Sequence, residues 1–315
     1  MFDLNRLVRP LAAFSAQLSP NSRGMLWMIL SGIVFTIHLG LVKTLGGEFG
    51  SGLLAFFRAA AGMLILLPVL VRTRPETLRV HQPGLMLLRG GLASAGFLLS
   101  FAAIAIMPMS QFNAISFSRP LFIIVLAAIF LHEKVGAQRW IATGVGCVGV
   151  LVIVQPSTQM EMSSLLALGA ALAFAGSIVM VKALSRLHST LTLIIATNLL
   201  SGLFTAPFAI HEWQTPQGEQ WLVIALMALT ATGAQACYIK GMAIGEASYV
   251  TAMDFLRLPM AVAADWLVFK TLPGFWVWPG TALIIGATAY ISIREARLRE
   301  RARLAAAVPP PEPLP

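Results

Sequence analysis

Charge is what this chain has least of. Asp, Glu, Lys and Arg make up only 11% of its 315 residues, against about a quarter in soluble domains. Hydrophobic residues reach 57% and mean hydropathy is +0.81, which excludes an ordinary water-soluble core. Cysteine is nearly missing too. Cys147 and Cys237 both fall in apolar runs, so there is no disulfide framework and no cysteine metal cluster, and both read as small packing residues. The five histidines, at 38, 81, 132, 188 and 211, are scattered. No metal site and no cofactor is expected from them, and nothing resembles an ATP site.

What the chain has is length of apolar sequence. Runs of about 20 residues suit a bilayer, and ten can be placed: 24–44, 52–71, 84–106, 109–131, 138–155, 162–182, 190–210, 219–239, 248–269 and 275–293. The expected fold class is an all-α membrane protein of ten transmembrane helices. The first run starts behind a mixed segment and reads as an uncleaved span rather than a signal peptide. A net charge of +9 would suit nucleic acid in a soluble protein. Here the basic residues lie between apolar runs, so topology explains them and no nucleic-acid partner is expected.

Lysine and arginine placement sets the orientation. With a cytoplasmic N-terminus, the inner segments hold Arg6, Arg9, Arg23, Arg72, Arg74, Arg79, Lys134, Lys182, Arg186, Lys240 and the tail arginines, and the outer ones only Lys43 and Lys270. Both termini are therefore expected inside. The tail "REARLRERARL" reads as a solvated basic run touching anionic lipid, followed by proline-rich chain. Residues 2–18 fit a short interfacial helix.

The chain also repeats itself. A shift of 138 residues superposes 104–153 on 242–291 without a gap, pairing Ser110 with Ser248, Phe117 with Phe255, Arg119 with Arg257, Trp140 with Trp278 and Thr143 with Thr281. A shift of 139 pairs Lys43 with Lys182 and Pro68 with Pro207. Each half thus has five spans. An odd number makes the second half enter from the opposite side, so the halves are inverted repeats, an architecture that serves alternating access in secondary transporters. The boundaries expected are 1–23 for a cytoplasmic segment, 24–155 and 162–294 for the repeats, and 295–315 for the tail.

The stretches "FAAIAIMPMSQFNAISFSRPLFIIVLAAIFLHEKVGAQRWIATGVGCVGVLVIV" and "MDFLRLPMAVAADWLVFKTLPGFWVWPGTALIIGATAYISIREA" resemble the last two spans of EamA domains, in the drug/metabolite transporter superfamily. The resemblance covers about 24–294. It implies ten spans, a bacterial inner-membrane location, and a central cavity lined by spans 1–4 and 6–9. Members of that family move amino-acid-like compounds, S-adenosylmethionine, riboflavin and opine-type metabolites. The acid that the family places at the end of span 4 is Glu133 here. Its repeat mate is Thr271, which departs from the pattern.

Ionisable residues inside spans are expensive and mark function or pairing. The candidates are Arg58, Arg119, Asp254, Arg257 and Asp265, with His38 in the outer half of span 1. Asp254 and Arg257 stand three apart and can pair on one helix face. They form either a structural lock or, with Arg119, a guanidinium fork for a substrate carboxylate or phosphate. Three cations against two anions favour an anionic or zwitterionic solute. Arg58 lies close enough to the outer end to serve an outer gate equally well.

Pro120 and Pro259 each remove a helix hydrogen bond, and the arginine just before is placed to answer the freed carbonyl. Gln111, Asn113, Ser116, Ser118, Asn198, Gln235, Tyr238, Tyr249 and Thr251 either line a cavity or bond helix to helix. Phe112, Phe117, Phe255 and Trp27 either stack on a flat solute or pack. The match Gly144-Val-Gly146-Cys-Val-Gly149 has no strand before it, so it reads as small residues for close helix contact rather than a dinucleotide fingerprint. Lys43 and Lys182 read as interfacial snorkelling ahead of gating.

For a coupling proton, Asp254 is a poor carrier beside Arg257, and Asp265, with no cation within a turn, is the better candidate. Exchange and facilitated transport stay open, as does the oligomeric state. The expected partners are a small-molecule solute and membrane lipid. Two other classes stand beside the transporter. A receptor or scaffold would give no solute flux, and an intramembrane enzyme would need a clustered acid, histidine or serine constellation that is not visible.

Overall fold

The computed structural model describes residues 20–73, 80–130, 136–154, 162–184, 187–244 and 253–307, and all regular structure among them is helical. The helices fall on the expected spans. Span 1 is Pro20–Gly46, span 2 Ser51–Arg72 and span 3 Pro83–Ile106; span 5 is Ala137–Val154, span 6 Met162–Leu184, span 7 Thr190–His211 and span 8 Gln220–Ile244. Seven spans are long and apolar enough to cross a membrane, and Trp140–Val154 and Val277–Ala287 are shorter apolar helices. This is an all-α, multi-pass membrane architecture.

Spans 4 and 9 are broken, and the breaks correct one expectation. Span 4 is Met109–Ser116 followed by Arg119–Phe130; the described part of span 9 is a 3-10 turn, Met253–Leu256, followed by Arg257–Leu267. Between the pieces of span 4, Ser118 N–H donates to the Ile115 carbonyl, while the Ser118 carbonyl accepts from Leu121 and Phe122. Pro120 therefore stands in the first turn of a new helix, where no ladder bond is lost. Pro259 takes the same place in the second half. The prolines begin helices rather than interrupting them.

Packing follows the repeat. Span 1 packs on span 8 and span 3 on span 6, while span 2 packs on span 7 and span 5 on span 10. Exchanging the two halves maps this pairing onto itself. Spans 5 and 10 cross backbone to backbone: a Cβ on Gly149 would stand 2.7 Å from the Gly280 carbonyl oxygen, and one on Gly280 2.6 Å from that of Gly149. Gly146 presses on Leu121, whereas Gly144 faces open space. Two of the three glycines thus serve close contact, as their residue type predicts. Span 10 continues without a break to Ala307, so the basic run is a helical extension of Val277–Ala307. The expected interfacial helix at 2–18 lies outside the described residues.

The candidate functional site

The arginines of the two broken helices sit on rings supplied by the opposite half. The Arg119 guanidinium lies over Phe174 of span 6, 4.7 Å from the ring centroid, and Arg257 lies over Phe35 of span 1 at 4.6 Å. Phe35 and Phe174 are themselves related by the 139-residue shift. Each repeat's cation is thus held by the other repeat's phenylalanine at nearly equal distance. A desolvated contact of this kind is worth about 2 kcal/mol. Arg257 also donates through Nη2 to the Ser31 hydroxyl at 3.2 Å and faces Tyr238 at 5.7 Å. The repeat mate of Ser31 is Ala170, so that bond has no counterpart.

The two stations are joined by rings. Phe174 meets Phe97 edge to face at 4.9 Å, and Phe97 neighbours Phe101 at 6.3 Å. Beyond Phe101 come His38 at 6.3 Å and then Phe35 at 6.1 Å. His38 contacts the Met227 carbonyl through Nδ1 at 3.0 Å, which fixes that nitrogen as the donor. Arg58 lies on Phe97, 3.4 Å from the centroid. The result is one seam of five rings and three guanidinium groups, drawn from spans 1, 2, 3, 4, 6 and 9. These spans are among those expected to line the cavity.

The remaining candidates divide. Gln111 donates from Nε2 to Ser164 Oγ at 3.4 Å, Asn113 from Nδ2 to the Met109 carbonyl, and Asn198 from Nδ2 to the Ile194 carbonyl. Asn198 also fills the space beside Gly62, where a Cβ would come within 2.6 Å of its Oδ1. Ser116 is half-buried at the end of its helix, and Gln235 is exposed. Tyr249, Thr251, Glu133 and the side chains of Asp254 and Phe255 lie outside what is described, so the Asp254–Arg257 pairing does too. Phe112 is buried in the packed core and Phe117 leans on it. Trp27 lies under Lys240 at 4.3 Å. The rings that carry the arginines are others: Phe35, Phe97 and Phe174.

Asp265 is fully buried, and the cation that its own helix lacks is supplied by span 1. Its carboxylate accepts from Met109 N–H at 3.0 Å, Ser110 N–H at 2.7 Å and the Ser110 hydroxyl at 2.6 Å. Lys43 Nζ stands 3.8 Å away, donates to the Met107 carbonyl at 3.1 Å and lies over Phe269. The end of span 9 therefore caps the start of span 4 and ties it to the end of span 1. Lys43 does not snorkel as expected; it turns inward to this carboxylate. The repeat keeps Ser248 and Lys182 at the other end but puts Ala127 where Asp265 stands. Arg89 is buried and donates through Nη1 to the Leu193 carbonyl, joining spans 3 and 7.

Two surface cavities lie apart from the seam. One, of about 420 Å³, is lined by Glu48, Phe49, Gln214, Thr215, Gln217 and Gln220. The other, between spans 5 and 10, includes Gln138, Ile141 and Tyr290. Among the described residues no group of His, Cys, Asp and Glu is placed to hold a metal ion.

Comparison with known proteins gives the arrangement a setting. The model of the EamA-like transporter family matches residues 22–155 and again 162–293. A riboflavin transporter of Vibrio cholerae is 34% identical over 89% of this chain and 96% of its own length. An S-adenosylmethionine uptake transporter of Rickettsia prowazekii is 26% identical over 87% of this chain and 94% of its own. One solved crystal structure shares the fold, with a TM-score of 0.55 at 18% identity, over 88% of this chain and 99% of that one.

Proposed function

The chain belongs to the EamA-like transporter family, a secondary transporter of small metabolites, and from that premise we propose that its solute is riboflavin or a similarly flat heteroaromatic metabolite. The observation that carries this reading is the seam of rings and guanidinium groups joining the two halves. A planar solute can replace ring–ring contacts one for one, at little cost in shape. The greater likeness to a riboflavin transporter supports it.

S-adenosylmethionine is the second reading, since a relative carries that name. It has a flat adenine, but its sulfonium would sit among three arginines. The acids of spans 4 and 9 that could offset them are Asp254 and Asp265, and the latter is taken by Lys43. Electrostatics therefore favour a neutral or anionic ring over a cation.

In this reading the protein lies in a bacterial inner membrane with both termini cytoplasmic, and the repeats at 24–155 and 162–294 rock about the seam. The Asp265 end then faces outward and closes that side. Arg119, Arg257 and Arg58 contact the solute, with Asp254 balancing Arg257. Gln111, Asn113, Ser116, Asn198, Gln235 and Tyr249 complete the polar lining in states that open the seam.

The test is flux into proteoliposomes. Saturable riboflavin uptake, competed by unlabelled riboflavin but not by S-adenosylmethionine, and lost in Arg119→Ala, is the expected result. Flux of S-adenosylmethionine alone would transfer the assignment to the second reading. A protein that moves neither solute nor any other of a metabolite panel would be a receptor or scaffold.

A further inference from the structure

Arg58 does not obey the repeat. Its mate in the second half is Thr197, and the mate of Phe97 is Gln235 or Ala236 by either offset. The stations of Arg119 and Arg257 are duplicated, so rocking explains them. A cation and ring that occur once need another reason.

The guanidinium geometry supplies it. At 3.4 Å from the Phe97 centroid, only a guanidinium lying flat on the ring fits. Its Nε and Nη2 are sealed from solvent and have no hydrogen-bond partner among the described residues. These two nitrogens form one edge of the group, with parallel N–H bonds. A buried guanidinium edge left unpaired is costly, and its natural complement is a pair of adjacent acceptors in the guanidinium plane. Phe97, which carries the guanidinium, is itself flanked by Phe101 and Phe174.

We infer that Arg58 is the specificity-determining fork of the transport site, reading two adjacent acceptors on the edge of a flat heteroaromatic ring. In a flavin these are a ring nitrogen and its neighbouring carbonyl, N5 with O4 or N1 with O2. The ring body lies against Phe97 and Phe174 while Arg58 fixes its rotation. This rests on the riboflavin reading above and adds to it which edge is recognised and by which residue.

Equilibrium binding by quenching of flavin fluorescence, on purified wild type, Arg58→Lys and Arg58→Gln, tests it. Both variants are expected to weaken riboflavin about 30-fold or more while melting near the wild type, because an ammonium keeps the charge but cannot fork. Lysine binding within threefold of wild type overturns the inference. So does a wild type that prefers flavin mononucleotide over riboflavin, with the preference lost in Arg58→Lys; the fork would then serve the phosphate. If both variants unfold, the wild type decides through 1-deaza- and 5-deazariboflavin: one must bind at least tenfold more weakly, and two equal affinities sink the fork. Failure of the wild type to bind riboflavin at all removes the substrate reading itself, an outcome distinct from the others.

Discussion

Replacing Asp265 with asparagine should cost the protein more stability than any comparable change in the spans. The carboxylate accepts three hydrogen bonds from Met109 and Ser110 and faces Lys43 at 3.8 Å. An amide keeps one acceptor oxygen and turns a donor toward the other N–H. With its oxygen at the Oδ2 position the amide keeps the two Ser110 bonds without their charge assistance, the Met109 N–H faces a donor at a cost of about 1.5 kcal/mol or more, and Lys43 loses its counter-ion. The expected loss is about 3 kcal/mol for Asp265→Asn, rising to about 4–5 kcal/mol for alanine, in the range for breaking one side of a buried pair. At roughly 2 °C per kcal/mol or more, asparagine should lower the melting temperature in detergent by about 6 °C. A double-mutant cycle with Lys43→Met isolates the ionic part. Lys43→Met should destabilise the wild type, and be neutral or favourable in the Asp265→Asn background. Asp265→Asn melting within 1–2 °C of wild type would refute the reasoning, since the carboxylate would then contribute nothing that an amide does not.

Three other changes probe the seam and the frame separately. Gly96→Ala places a Cβ 2.8 Å from two carbons of the Phe174 ring, which must tilt off Phe97 and Arg119. Helix propensity offsets the strain by about 0.5–1 kcal/mol, so flux should fall about tenfold with little change in melting. Gly149→Ala meets the Gly280 carbonyl at 2.7 Å, and backbone cannot swing aside. A loss of about 2 kcal/mol with unchanged flux per folded molecule is expected, measured by melting and proteoliposome uptake. Arg257→Gln should abolish flux and leave a protein that still melts cooperatively. If Asp254→Asn and Arg257→Gln each prevent folding and the double change restores it, the pair is a lock rather than a site.

The architecture was legible because it is written in length and repetition. Ten apolar runs and a 138-residue self-match need no tertiary information. The rings were not. Phe97 and Phe101 sit four apart in an apolar span, the spacing of any packed face, and nothing local separates them from Phe112, which proved to be core. Comparing the halves would have helped, because Phe35 and Phe174 are repeat mates just as the arginines are. The Asp265 network was hidden for another reason. Its partners come from spans 1 and 4, and an acid's surroundings depend on tertiary distance rather than on the charges of its own helix.

The breaks at Arg119 and Arg257 show why the chain uses rings at its central joints and a carboxylate at one end. Each arginine opens a new helix, so its guanidinium leaves the backbone at the point where two helical pieces meet and reaches the opposite repeat. If the halves rock, both joints must shift together. A cation over a ring face tolerates sliding, because the attraction varies gently across the face and extends to about 6 Å. A carboxylate gripping two backbone N–H groups does not, since hydrogen bonds weaken steeply with angle. In the proposed rocking, soft contacts at the midpoint and a hard one at a single end would let the repeats pivot while one side is held shut, and the sequence puts alanine at position 127, where the second half has Asp265.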